Sequence, residues 1–250
     1  MRDFEDSTLW RVSGFERARL ASGSSGFASL DGPTVLSSTL LADLRRLDAF
    51  GASDDLLEVV AACVRHHEPA LLCLQYDGLV WPVTLFPLQG IFHSPRDFSQ
   101  ARPSALARAT LLSAEPPGVR PPGHWMTERV ALAAQYRPLT PWLWQIALEG
   151  PRIELIEEIA GTVAYRAVKS PAEEGTVLAG ALGSAAERLR RETVSLRTIC
   201  GWPGMSQERA SRLLNGLYLN SALLATRAHP AARPEPGRLR GLFQGLKPRR

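Results

Sequence analysis

Residues 195 to 224, SLRTICGWPGMSQERASRLLNGLYLNSALL, constrain the chain more than any other stretch, because two helical patterns meet there across a short break that cannot itself be helical. Leu196, Ile199 and Cys200 fit the inner face of one short helix. Gly201 to Met205 predicts a tight turn, since a proline and two glycines interrupt the hydrogen-bond ladder. Ser206 is placed to cap a second helix, in which Ala210, Leu213, Leu214 and Leu217 recur at helical spacing. Ala210 is small enough to let the two helices cross closely, and Leu223-Leu224 is expected to begin a strand after the second helix.

This pattern resembles the helix-turn-helix of winged-helix families, in which a Gly-hydrophobe-Ser turn precedes a helix of the form A-x-x-L-x-x-L and a short strand begins the wing. The resemblance implies a second helix that lies in the major groove of DNA, with Gln207, Arg209, Ser211, Arg212 and Asn215 facing bases or phosphates. Arg and Asn suit that role, since Arg pairs bidentately with guanine and Asn with adenine. The chain departs from the family pattern in three ways. Trp202 and Pro203 make the turn bulkier, Ser221 stands where Gly is usual, and Pro230, Pro234 and Pro236 leave little room for a two-stranded wing. With Glu208 opposing the few arginines of this helix, the same fold is also expected as a protein-docking unit.

Charge is distributed unevenly. Residues 181 to 250 hold 13 basic against 4 acidic residues, a balance of +9, whereas the remainder of the chain stands at −5. Such a local positive field favours nucleic acid, an anionic surface or an acidic protein partner. The final stretch, RLRGLFQGLKPRR, sets Leu239, Leu242, Phe243 and Leu246 at helical spacing among Arg238, Arg240, Lys247, Arg249 and Arg250. It reads as a basic amphipathic tail that docks on an acidic partner, on the chain's own core or on anionic lipid, or else as a frayed end weakened by Gly241, Gly245 and Pro248. As the partner-binding tail, Arg238, Arg240, Leu242, Phe243, Leu246 and Lys247 are its candidate contacts.

Upstream, two amphipathic helices are expected. One follows Ser37-Ser38 with Leu40, Leu41, Leu44 and Leu47 on one stripe; the other runs from Asp54 to about His66, capped by Ser53. The period then changes to that of strands, and ALLCLQY, LVWPVTLF and IFHS read as a three-stranded antiparallel meander covered on both faces, with Pro82 marking an edge position or a bulge. The order of residues 37 to 94 is similar to that of roadblock-type and PAS-like signalling domains, with no shared motif. Glu115 to Gly123 is too rich in proline for either element and is expected as a stiff connector. Beyond it, helices are expected over about 127 to 136, from Thr140-Pro141 to Gly150, and through RIELIEEIA. VAYRAV is expected as a strand, and 176 to 191 as a further helix.

The expected class is therefore α+β: an α+β domain over 1–115, a linker over 116–125, a mainly helical segment over 126–174, a winged-helix-like module over 175–232 and the basic tail over 233–250. With 45% hydrophobic residues the chain can bury its own cores without staples. Its three cysteines, Cys63, Cys73 and Cys200, match neither a zinc nor a redox spacing and suit a reducing, cytoplasmic setting. Asp3, Glu5 and Asp6 stand where an export signal needs basic residues, and proline and glycine break the apolar stretch from Ala70 to Phe92 well short of the roughly 18 residues a membrane span requires. Two lysines among 29 basic residues suggest a bacterial, GC-rich source.

No reaction is signalled. His66, His67 and His93 with Cys63 and Cys73 have no metal-ligand spacing, Gly23-Ser-Ser-Gly26 is no nucleophile elbow, and Glu157-Glu158 points its two carboxylates apart. No catalytic residue, metal or cofactor is assigned. Trp81, Trp142, Trp144 and Tyr136 are expected either in the core or around a small-molecule pocket. The functional expectation is a non-enzymatic regulatory or adaptor protein acting through protein contacts, with a DNA-binding regulator as the alternative and an enzyme third.

Overall fold

A computed structural model describes residues 10–22, 35–76, 78–96 and 106–233. Helices combine with antiparallel sheets, so the class is α+β. Contacts divide the chain into two compact units, one ending at Ile153 and the other starting at Glu154.

In the first unit, strand β1 (Trp10–Arg11) leads into helix α1 (Val12–Ser22), followed by helices α2 (Ser38–Ala49) and α3 (Leu56–His66). Ser37 caps α2 by accepting from the Leu40 amide, and the leucine stripe turns Leu40 and Leu47 inward. The cap of α3 is Asp55, two residues later than expected. Its carboxylate accepts from the amides of Leu57 (2.9 Å) and Glu58 (3.2 Å) and also pairs with Arg152, a second contact that Ser53 does not make. His67 ends the helix in the left-handed conformation (φ 54°), where its amide and that of Glu68 close the last turn onto Val64 and Cys63.

The meander follows as expected, in strands β2 (Ala70–Tyr76), β3 (Leu79–Phe86) and β4 (Ile91–His93). Strands β5 (Thr110–Glu115) and β6 (Tyr136–Pro138) extend it to the order β5-β2-β3-β4-β6, antiparallel throughout. On the edge of β3 away from β2, β1 pairs with Leu79 and Val80 and β4 with Thr84 to Phe86. Pro82 falls in the gap between them, where its missing N–H is not required by a neighbouring strand. The irregularity in this sheet lies instead between β2 and β5, at Cys73/Leu74. Nearly every residue of β2 and β3 is buried, as a sheet covered on both faces requires. Phe15 of α1 covers one face, against Leu71, Cys73 and Val80. Helix α4 (Leu139–Glu149) buries Trp142, Leu143, Trp144, Ile146 and Ala147 and so has scarcely an exposed face.

Three expectations are corrected in this region. Residues 127 to 136 form no α-helix: Arg129 is left-handed (φ 63°), Val130 bridges to Arg120, Ala133–Gln135 make a single 3-10 turn and Tyr136 begins β6. The proline-rich stretch is no free connector between domains but part of the first unit, held by the Arg120 amide on the Arg129 carbonyl and by the Tyr136 hydroxyl, which donates to the Arg120 carbonyl. Helix α4 starts at Leu139, whose amide binds the Gly90 carbonyl, ahead of Thr140-Pro141.

His93 has a measurable consequence. Burial beside Arg137 lowers its pKa to about 4, despite a hydrogen bond to Gln135 that favours the charged form. Between the ordinary value near 6.5 and about 4, the unfolded chain binds a proton that the folded one refuses. Stability is therefore expected to fall by about 3 kcal/mol as pH drops through that window, and a His93→Gln variant should flatten this part of a pH series of urea midpoints.

The second unit contains strand β7 (Ala164–Ala167), helix α5 (Gly180–Arg191), strand β8 (Val194–Ser195), helices α6 (Leu196–Cys200) and α7 (Gln207–Leu219), and strand β9 (Leu223–Thr226). The sheet order is β8-β7-β9. Tyr165 of β7 is fully buried and its hydroxyl donates to the Ile159 carbonyl. Only Glu157–Ile159 of the expected RIELIEEIA helix is helical, as a single 3-10 turn. Just before it, the Glu154 carbonyl and Ile156 amide bond to the Asn215 side chain instead of to each other's helical neighbours.

Candidate functional site: the helix-turn-helix unit and its groove

The two helices of the motif form where their local chemistry predicts. Ser195 caps α6 by accepting from the Thr198 amide, and Ser206 caps α7 by accepting from the Arg209 amide. The turn is closed by the Met205 amide on the Trp202 carbonyl. Gly204 is left-handed (φ 72°), and a Cβ there would lie 2.8 Å from that of Ala181, so this position needs glycine on two counts. Trp202 makes the turn bulky because it is a packing residue, 8% exposed, with the Arg188 guanidinium 4.6 Å from the centre of its ring. Ser221 adopts φ 53°, the left-handed geometry for which glycine is the usual choice.

Helix α7 buries Ala210, Leu213, Leu214 and Leu217 completely. Its buried arc is wider than that stripe, however, and takes in two of the five residues expected to face DNA. Asn215 is fully buried: its Nδ2 donates to the Glu154 carbonyl (2.8 Å) and its Oδ1 accepts from the Ile156 amide (3.1 Å). Ser211 is 1% exposed. Both are corrections, since an Asn and a Ser on a helix read as polar surface until their partners are known. Gln207 and Arg209 are exposed, as expected. The Arg209 guanidinium folds back on the Gly204 carbonyl (2.7 Å), and Arg212 pairs with Glu208 (2.9 Å) with its side chain only 15% exposed.

Among the described residues, the strand after α7 is not followed by a second strand that would complete a wing. Strand β9 pairs with β7, which precedes α5, and the chain beyond β9 enters a 3-10 turn at Pro230–Ala232. That turn contacts β7 and β8.

Beside the motif lies a groove of about 950 Å³. Arg188 of α5, Arg197 of α6 and Arg233, next to the turn at Pro230–Ala232, line it together with Trp202. No Asp or Glu among the described residues lines it. Arg188 is shared with Glu192 at 3.2 Å, while Arg197 and Arg233 are exposed and form no ion pair among the described residues. Sequence reasoning missed this site because its arginines are far apart along the chain; only the basic surplus of residues 181 to 250 pointed towards it.

The other candidates are structural. His66 bonds to Asp43 at 2.7 Å, alongside Arg65. Burial would raise the Asp43 pKa, but these partners outweigh it and hold the carboxyl below its ordinary value. Cys63 and Cys73 are buried, and desolvation pushes the Cys63 thiol up to about 12, far from a reactive thiolate. Among the described residues, no three of His, Cys, Asp and Glu converge to hold a metal ion. Trp81, Trp142 and Trp144 are buried, with Trp142 packed on Phe92 at 5.4 Å. Tyr136 is half-buried against Phe86. Among the described residues, no helix is long and apolar enough to cross a membrane. The tail residues Arg238, Arg240, Leu242, Phe243, Leu246 and Lys247, and Gly23 to Gly26, lie outside the described residues.

The geometry defines an α+β chain with a helix-turn-helix unit whose second helix is largely committed to internal packing. Compared with known proteins, the chain matches no family, no curated protein and no solved structure.

Proposed function

We propose that this chain is a non-enzymatic regulatory or adaptor protein of the bacterial cytoplasm that acts through protein contacts and uses its helix-turn-helix as a docking fold. The observation that carries this reading is the internal use of Asn215, supported by the burial of Ser211. A helix that reads DNA keeps its polar side chains free for base edges. Here one of the best candidates holds the backbone of residues 154 to 156, and both arginines of the helix already have partners within it or in the turn before it. Among the described residues, β9 pairs with β7 and is followed by a 3-10 turn, with no hairpin placed to lie along a phosphate backbone.

A sequence-specific DNA-binding regulator is the alternative, favoured by the exposure of Gln207 and Arg209 and by the basic surplus around them. Fluorescence anisotropy against random duplex DNA at low and physiological salt separates the two. The docking reading expects no binding tighter than the non-specific range of about 10⁻⁴ to 10⁻⁶ M at physiological salt, and the same curve for an Arg209→Ala/Arg212→Ala variant. Tight, steeply salt-dependent binding that the double variant loses would reverse the ranking.

A further inference from the structure

We propose that the groove lined by Arg188, Arg197, Arg233 and Trp202 is the docking site for an acidic peptide segment of a partner protein, which makes the protein-contact reading above specific and rests on it. Three arginines from separate parts of the unit line one concavity, and no Asp or Glu among the described residues lines it. Among the described residues, Glu192 engages Arg188 and no carboxylate pairs with Arg197 or Arg233, so these two present a positive field suited to an incoming anion. Arginine is the cation suited to this task, because its planar fork takes a carboxylate through two parallel hydrogen bonds.

The rest of the lining selects a peptide over a bare polyanion. Val163, Leu196, Ala231 and Pro230 add apolar residues to the lining beside the arginines and Trp202. A phosphate backbone needs only the cations, whereas a segment alternating acidic and aliphatic side chains satisfies both kinds of wall. The volume of about 950 Å³ lies at the upper end of the roughly 300–1,000 Å³ typical of ligand clefts, which suits a short peptide stretch.

The chain's own tail is the nearest competitor, since residue 234 follows directly on Arg233. Residues 234 to 250 hold five basic residues against the single acid Glu235, so the tail repeats the charge of the groove and is a poor occupant.

The test is anisotropy of a labelled peptide alternating Glu and Leu, titrated with the full chain, beside a Gln-for-Glu peptide and a single-stranded oligonucleotide of equal charge. The expected result is salt-sensitive binding of the acidic peptide and none of the Gln peptide. An Arg197→Ala/Arg233→Ala variant should weaken binding about tenfold or more while leaving the thermal melt unchanged, because both side chains are exposed and in no ion pair among the described residues. An Arg197→Glu variant should abolish it. The inference is overturned if the acidic peptide does not bind, if the double variant binds it as well as the parent, or if the oligonucleotide binds more tightly at equal charge. Loss of peptide binding alone would remove the groove's role and leave the docking reading standing, since that reading fails only on DNA binding that depends on Arg209 and Arg212.

Discussion

Replacing Asn215 by Leu is expected to destabilise the C-terminal unit by about 3 to 4 kcal/mol. The substitution keeps the volume but leaves the Glu154 carbonyl and the Ile156 amide without the side chain that satisfies them. Each buried polar group stripped of its partner costs about 1–3 kcal/mol, and the added apolar surface offsets only part of that. Asn215→Asp should also destabilise: it retains an acceptor for the Ile156 amide but turns a second oxygen on the Glu154 carbonyl. The readout is the urea midpoint of the full chain, followed by a probe within residues 154 to 233. Were Asn215 instead a base-reading residue on free surface, both variants would unfold at the parent's midpoint, and that outcome would sink the structural assignment.

An effect of comparable size is expected in the first unit from Arg152→Met. Arg152 pairs at once with Asp55, the cap of α3, and with Glu58 (2.9 Å), which is 8% exposed. Removing the guanidinium leaves a carboxylate in the interior and loosens the cap from its brace. Breaking one partner of a buried pair costs about 3–5 kcal/mol, most of it the desolvation of the group left behind. The check is a double-mutant cycle with Glu58→Gln: much of the loss should be recovered when both charges go, giving a coupling energy of at least about 1 kcal/mol. Additive costs would mean that the two side chains do not act as a pair.

What was legible in the sequence was what local chemistry decides. The helix start at Ser37-Ser38, the cap at Ser206, the meander punctuated by Gly78 and Gly90, and the break at Gly201 to Met205 all depend on residues within a few positions of one another. The misreadings fall where a distant partner overrides the local pattern. RIELIEEIA has helical spacing, yet its backbone is claimed by Asn215, about sixty residues on. Residues 127 to 136 lose their helix to the bridge between Arg120 and Val130. The same limit applied to the site. The leucine stripe of α7 marked its buried centre but not the width of the buried arc, so Ser211 and Asn215 were assigned to the wrong side. The groove escaped notice because Arg188, Arg197 and Arg233 have no common spacing.

The place of β7 in the middle of its sheet has a consequence for how the unit comes into being. A chain emerging from the ribosome delivers β7 before α5, but β9, its longer partner, only after α7 is complete. Until Thr226 is made, the central strand keeps one edge open, and the pairing that closes it spans the entire helix-turn-helix. Non-local closure of this kind slows folding and lengthens the time for which an unpaired strand is exposed. A fragment cut at residue 175, where the module starts by sequence pattern, would lack the strand to which β8 and β9 both bond. The helix-turn-helix is thus no detachable cassette: it is threaded onto a strand that precedes it, and the two can only be inherited, expressed or transplanted together.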